Sequence, residues 1–165
     1  MVLSVVNDVS DDDAINVKYG YASITNSRFR DTSSDAIDFD FSDGLVAHNT
    51  FERVGGDAID LSFSPAEIRG NAINECGDKG VSVGERSSPL IVQNTIKKCA
   101  IGIAVKDGSR ATIRENTIEN SGTAIALYRK KPHFVDGGIA IVRNTTLTGN
   151  DEDFATDAYS SVQRP

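Results

Sequence analysis

The chain has 165 residues, which is the length of a single domain. Acidic residues outnumber basic residues by 24 to 17, and the resulting net charge of −7 argues against general binding to nucleic acids or anionic membranes, since both require a basic surface. No apolar stretch has the length of a membrane span, and the first residues lack the features of a signal peptide.

A five-residue pattern begins at position 13 and returns every 22 residues. Its copies are Asp13–Val17, Asp35–Phe39, Asp57–Leu61, Lys79–Val83, Ile101–Val105 and Thr123–Leu127. A fixed period of this size is typical of a solenoid, in which each repeat buries its apolar edge only against its neighbours. Val2, Val5 and Val6, which precede the first copy, look like half of a further coil without a polar cap.

A second pattern lies within each repeat, beginning with Ile24-x-x-Ser27-x-Phe29 and continuing with Asn at the serine position. Both patterns alternate apolar and polar residues and are bounded by Gly, Asn, Asp or Ser, which indicates short β-strands. The sequence therefore predicts an all-β solenoid of about six coils. The recurring asparagines are expected to stack as a ladder at one turn: Asn49, Asn71, Asn94, Asn116 and Asn144.

These strands and Asn-Thr-Ile turns resemble the right-handed parallel β-helix of the pectate-lyase-like superfamily. The resemblance covers residues 13 to about 150 and implies a right-handed single-stranded parallel β-helix over 1–150, followed by a C-terminal cap or tail at 151–165. A leucine-rich repeat is excluded because the inward positions hold Ile, Val and Phe. The β-helix architecture serves many functions, so the resemblance implies a fold rather than an activity.

Residues between the inward ones point outward and form two columns on one face. Column 1 is Asn16, Asp38, Asp60, Ser82, Ala104 and Ala126. Column 2 is Lys18, Asp40, Ser62, Gly84, Lys106 and Tyr128. This face is acidic in the lower coils and becomes basic and aromatic in the upper coils.

The lower carboxylates allow three interpretations. Asp38 and Asp60 are spaced for a glycoside hydrolase that uses paired aspartates. Asp38, Asp40 and Asp60 together could bind Ca²⁺, the one cofactor that the sequence suggests. Alternatively, Asp35 and Asp57 bond to turn amides in a solvated polar ladder.

The upper coils carry a basic insertion. Asn116 and Asn144 are 28 residues apart, which predicts a six-residue insertion after Tyr128. Insertions in solenoids often serve binding, although a solvated charged loop would look the same. For lyase or epimerase chemistry on an acidic sugar, Lys106 would be the base and Arg129 or Lys130 would stabilise the enolate. The expected substrate-binding residues are Tyr128, Lys130, Lys131, His133, Asp107 and Glu85.

The favoured interpretation is a carbohydrate-recognising β-helix, with lyase or epimerase activity on an anionic polysaccharide as its catalytic form. The alternatives are a non-catalytic structural or interaction module of a larger surface protein and the hydrolase described above. A polysaccharide is the expected partner, with homo-oligomers through exposed coil ends as a further option. We expect an extracellular or cell-surface location as part of a longer chain. Cys76 and Cys99 occupy equivalent positions and are expected to be stacked thiols or a disulfide.

Overall fold

The computed structural model describes residues 5–7 and 12–165, and this part of the chain consists of β-strands joined by short turns. No helix in it is long and apolar enough to cross a membrane. The strands in chain order are β1 (Val5–Asn7), β2 (Ile15–Lys18), β3 (Tyr21–Thr25), β4 (Arg28–Thr32), β5 (Ile37–Asp40), β6 (Asp43–Ala47), β7 (Thr50–Val54), β8 (Ile59–Ser62), β9 (Glu67–Arg69), β10 (Ala72–Gly84), β11 (Leu90–Val92), β12 (Thr95–Lys106), β13 (Arg110–Arg114), β14 (Thr117–Glu119), β15 (Thr123–Tyr128), β16 (Ile139–Arg143), β17 (Thr146–Thr148), β18 (Glu152–Thr156) and β19 (Ser161–Gln163).

The strands pair in parallel with their equivalents one coil away and form three ladders. Ladder 1 contains β2, β5, β8, β10, β12, β15 and β18. Ladder 2 contains β3, β6, β9, β11, β13, β16 and β19. Ladder 3 contains β1, β4, β7, β10, β12, β14 and β17. Strands β10 and β12 run round a corner and therefore belong to two ladders. The result is an all-β parallel β-helix of about seven turns, one more than the six repeats that the pattern predicts.

The register confirms the predicted columns. Asn16 pairs with Asp38, and Asp38 with Asp60 in the next coil. The inward residues of these strands fill the core, where Ile37 and Ile59 are fully buried. In this core like residues stack on like, as a solenoid requires.

The asparagine ladder forms as predicted over four coils. Asn71 Oδ1 accepts hydrogen bonds from the backbone N–H and from Nδ2 of Asn49 at 3.0 and 3.1 Å, and Asn94 and Asn116 continue the same arrangement. The side chains are buried, so these bonds satisfy backbone groups that water cannot reach.

Asn144 does not belong to this ladder, and that prediction is wrong. Thr117 pairs with Thr146, 29 positions further along the chain, so the insertion has seven residues rather than six. The register therefore places Thr145 above Asn116. Asn144 instead occupies the neighbouring exposed corner with a φ of 47°, a left-handed conformation that asparagine tolerates.

A serine ladder, which the sequence analysis missed, lies at the corner between ladders 1 and 2. Ser64 Oγ accepts from the N–H of Ser42 at 3.1 Å, Ser87 Oγ from Ser64 at 2.9 Å, and Ser109 Oγ from Ser87 at 3.2 Å. These bonds fix the corner next to column 2.

Both ends of the chain contribute strands. Residues 151–165, expected to be a cap or tail, contain β18 and β19, which pair with β15 and β16 and continue the solenoid. At the other end β1 pairs with β4, while Val2 lies outside the described residues. Cys76 and Cys99 are register partners, buried and not bonded to each other.

Candidate functional site

Four aspartates lie together at the outward face of ladder 1, and we call Asp35, Asp38, Asp57 and Asp60 the acidic cluster. Asp35 and Asp57 precede strands β5 and β8, while Asp38 and Asp60 lie within them. Carboxylate oxygens of Asp35, Asp57 and Asp60 all lie within 4.8 Å of one another. The 22-residue period brings them together because each coil repeats the same aspartate positions.

Two of these aspartates bond to the backbone of the next coil. Asp35 Oδ1 accepts from the N–H of Asp57 at 2.6 Å, and Asp57 Oδ1 accepts from the N–H of Lys79 at 2.9 Å. This is the polar ladder that the third interpretation of the sequence predicts. It is not solvated throughout, because Asp57 is only 5% exposed.

Lysine side chains compensate only part of the negative charge of the acidic cluster and of the neighbouring Asp40. Lys79 Nζ lies 3.3 Å from Asp57 Oδ1 and also contacts Asp78. Lys18 Nζ lies 3.3 Å from Asp40 Oδ2. Within the part of the chain that the structure describes, Asp35, Asp38 and Asp60 have no ion pair.

The carboxyl groups of Asp35 and Asp38 have raised pKa values and are difficult to ionise. Burial, followed by the charges of Asp40 and Asp60, raises the pKa of Asp38 to about 7. Burial also raises the pKa of Asp35 to about 6, although the hydrogen bond from the backbone of Asp57 opposes the shift. Near neutral pH the cluster therefore favours either a proton or a bound cation.

Two buried oxygens in this region have no partner. Asp60 Oδ1 and Ser82 Oγ are both inaccessible to solvent and accept or donate no hydrogen bond among the residues at 5–7 and 12–165. Ser82 itself is 0% exposed, and it is the register partner of Asp60 in column 1. Buried polar atoms without a partner are rare and costly, and one explanation for them is an ion that supplies the missing contact.

The predicted Ca²⁺ ligands are thus only partly brought together. Asp60 belongs to the converging group, but the other members of that group are Asp35 and Asp57, which the sequence analysis placed in the polar ladder. Asp40 is paired with Lys18 instead. All-oxygen groups of this kind suit hard cations such as Ca²⁺.

The upper part of the face is closed rather than open. Ser82 and Ala104 are fully buried, and Lys106 is only 5% exposed. The Lys106 side chain lies over Gly84, since a Cβ added to that glycine would lie 2.9 Å from Lys106 Cε. Tyr128 is half-buried, and burial raises the pKa of its phenol.

Two acidic residues hold the insertion against this face. Asp107 Oδ1 accepts from the N–H groups of Lys130 and Lys131 at 2.7 and 2.8 Å. Glu85 pairs with the Lys131 ammonium group and accepts from Ser62 Oγ at 2.7 Å. Burial alone would raise the pKa of Glu85, but the hydrogen bonds from Lys131 and Ser62 lower it below its ordinary value. Glu85 and Asp107, which were predicted to bind substrate, therefore contact residues of the insertion and Ser62 instead.

The remaining predicted residues point in different directions. The Arg129 guanidinium lies 3.4 Å from the ring centre of Tyr159, and its backbone N–H donates to Asp157. His133 is exposed beside Phe134. Of the four predicted cations, only Lys130 is exposed and without an ion pair in the described structure. The structure therefore does not bring them together as one open basic patch.

An exposed aromatic ridge lies next to column 2, where the strands of ladder 1 end, and the sequence analysis missed it. Tyr19, Phe41 and Phe63 are 79%, 49% and 38% exposed. Their rings stack with centroids 5.2 and 4.5 Å apart. Each of these aromatic residues directly follows a residue of column 2, and the three recur at the 22-residue period. This recurrence is the sequence signal that predicts the ridge. Exposed apolar surface next to polar groups often marks a binding surface.

Comparison with known proteins supports the fold. Residues 13–162 match the family described as the right-handed β-helix region. No curated protein matches the chain. Among solved structures, the chain is compared with QnrB1, a plasmid-mediated fluoroquinolone resistance protein, at 11% identity over 96% of this chain and 93% of the other. The TM-score of 0.19 is too low for that similarity to support a structural argument.

Proposed function

The chain belongs to the right-handed β-helix family, and we propose that it is a polysaccharide-binding module that holds an acidic glycan through a divalent cation in the acidic cluster. The observation that carries this proposal is the pair of buried oxygens without partners, Asp60 Oδ1 and Ser82 Oγ, beside converging carboxylates. An extracellular or cell-surface location would agree with such a ligand.

The chemistry of the cluster supports a hard divalent cation. Ca²⁺ takes about six to eight oxygen ligands, which is about two to four more than Asp35, Asp57, Asp60 and Ser82 supply if each gives one. Water or the carboxylate of a uronic acid would fill the remaining positions. The cation would also offset the burial and the repulsion between carboxylates that raise the pKa of Asp35 and Asp38.

A cation also explains how an acidic chain could bind an acidic glycan. A net charge of −7 repels a polyanion, and most of the predicted basic residues are engaged in internal contacts. A bridging Ca²⁺ reverses the sign of the field at the point of contact. The aromatic ridge of Tyr19, Phe41 and Phe63 would give the apolar C–H surfaces of the sugar rings a border to pack against.

Binding of polygalacturonate tests this function, with dextran as a neutral polymer for comparison. Native affinity electrophoresis should show stronger retardation by polygalacturonate with Ca²⁺ than with EDTA. Asp60→Asn should lose this Ca²⁺-dependent increase, while Asp151→Asn, which removes the same charge from an exposed position, should keep it. Equal retardation in EDTA would contradict the proposal.

Glycoside hydrolysis is a second candidate, favoured by one specific observation. Asp38 and Asp60 are register partners on neighbouring strands, and a pKa of about 7 suits Asp38 to act as a general acid. Release of reducing ends from a panel of neutral and acidic polysaccharides, abolished by Asp38→Asn, would establish it.

Lyase or epimerase chemistry is a narrower proposal. It relies on Lys106 as the base, and a base must reach the proton that it removes. The burial of Lys106 and the contact of Arg129 with Tyr159 make binding the better supported function. Elimination would produce an unsaturated uronate, which is measured by its ultraviolet absorbance. Product formation by the wild type that is abolished by Lys106→Ala would establish elimination instead.

A further inference from the structure

A cavity of about 320 Å³ lies at the corner between ladders 1 and 2, beside the insertion. This volume is at the lower end of the range of small-ligand sites. It is separate from the acidic cluster and shares no residue with it. Its lining residues include Arg86, Ser88, Gly108, Arg110, Phe134 and Asp136.

Longer corners in consecutive coils create this cavity. Ser64 and Ser87 are bonded across 23 residues, whereas Ser42 and Ser64 are bonded across 22. The corner of the later coil therefore carries one extra residue, Arg86, in a left-handed conformation with a φ of 60°. One coil above, Gly108 also adopts a positive φ.

The insertion supplies the facing wall. Phe134 is buried, so its ring is held in place. The N–H of Gly108 donates to the carbonyl of Gly137 at 2.8 Å and ties the insertion to the corner below. A Cβ on Gly108 would lie 3.3 Å from Arg86 Cγ and 3.6 Å from Phe134 Cδ1, so the glycine leaves room for both side chains.

Two guanidinium groups line the cavity without partners of opposite charge. Within residues 12–165, neither Arg86 nor Arg110 has an ion pair or a side-chain hydrogen bond. By contrast, Arg53 is paired with Asp31 elsewhere on the solenoid surface. Arg86 lies over the Phe134 ring, 5.7 Å from its centre. The one carboxylate in the lining, Asp136, is exposed.

We propose that this pocket binds one sugar residue carrying an anionic group, a carboxylate or a sulfate ester. Arg86 and Arg110 hold the anion, because guanidinium groups match the geometry of such oxyanions in paired hydrogen bonds. Phe134 packs against the apolar side of the sugar ring, and Ser88 also lines the cavity. The site needs no metal, so it goes beyond the cation-dependent function proposed above and stands independently of it.

Calorimetric titration in EDTA tests the pocket apart from the acidic cluster. The probes are sodium glucuronate, sodium sulfate and glucose. The wild-type chain should bind glucuronate, and Arg110→Ala should weaken that binding about tenfold or more, the effect of losing one charged hydrogen bond. Arg114→Ala, at an exposed position of the same strand β13, should leave it unchanged.

Further variants keep the test decisive if one of them folds poorly. Arg86→Asn retains a residue that tolerates a positive φ and should also weaken glucuronate binding about tenfold. Phe134→Leu should weaken glucuronate more than sulfate. Sulfate that binds as tightly as glucuronate, with no effect of Phe134→Leu, would overturn the assignment to a sugar. No binding of either anion, or equal binding of glucose, would overturn the site altogether.

Discussion

Asp60 and Ser82 lie side by side on neighbouring coils, and each carries a buried oxygen that has no hydrogen-bond partner in the described part of the chain. The arrangement costs stability, because removing a polar atom from water without a partner is unfavourable. It occurs where three carboxylates converge, so the cost is consistent with a site prepared for a cation.

Ser82→Ala should therefore stabilise the protein in EDTA, by about 1 kcal/mol, since it removes a buried hydroxyl without a partner. The same change should weaken Ca²⁺ binding. Urea unfolding with and without Ca²⁺ measures both effects. A variant that is less stable than wild type in EDTA would show that the hydroxyl has a stabilising role that does not depend on a cation.

Stability should fall as the pH rises from 5 to 8 in the absence of divalent cations. Asp38 and Asp35 have folded-state pKa values of about 7 and about 6, above their ordinary value of 3.8. A raised carboxyl pKa contributes stability that is complete below the ordinary pKa and is lost as the pH rises through the folded-state value. Thermal melting across this range measures the slope.

Asp38→Asn should flatten that slope, leaving the smaller part due to Asp35. Asp151→Asn, at an exposed position far along the chain, should retain the wild-type slope. If melting temperatures of the wild type are constant between pH 5 and 8, the acidic cluster is not under the strain inferred from its burial and charge.

Lys79→Met should be strongly destabilising at neutral pH. Lys79 and Asp57 have side chains that are 5% and 7% exposed, and removal of one member of a buried pair costs about 3–5 kcal/mol. The double variant with Asp57→Asn should recover part of the loss. Chemical unfolding of the two single variants and the double variant gives the coupling energy, and strictly additive effects would show that the pair does not interact.

Asn71→Ala should cost about 2–4 kcal/mol, because it leaves several buried groups without partners. Asn71 Oδ1 accepts two hydrogen bonds from Asn49, and its Nδ2 donates to Asn94 and to the carbonyl of Val46. Asn144→Gly keeps the left-handed backbone outside the ladder and should change stability by less than about 1 kcal/mol. Unfolding in urea compares the two, and equal losses would contradict the revised register.

The periodicity of the sequence predicts which residues share the outward face of ladder 1, but not how exposed their side chains are. A 22-residue spacing places Asp38 next to Asp60, because parallel coils stack equivalent positions. It does not reveal that the Lys106 side chain lies over Gly84 of the adjacent coil, since the periodicity does not fix the direction of a long side chain. The expected open upper face is therefore closed.

The register of the last coil does not follow from the 22-residue period either. An insertion hides the true register, and Asn144 and Thr145 are both plausible continuations of the asparagine ladder by sequence alone. The pairings of Thr117 with Thr146 and of Arg114 with Arg143 decide in favour of Thr145. The cavity beside Arg86 was equally hidden, because its walls come from two corners and an insertion that are distant in sequence.

Calorimetric titration of Ca²⁺ into the wild-type chain and into Asp60→Asn at neutral pH tests the central claim most directly. The account predicts one Ca²⁺ bound per wild-type chain, with release of protons from the acidic cluster, and a loss of at least about tenfold in affinity in the variant, since one charged ligand is removed. Absence of Ca²⁺ binding by the wild type, or equal affinity in both proteins, would contradict it.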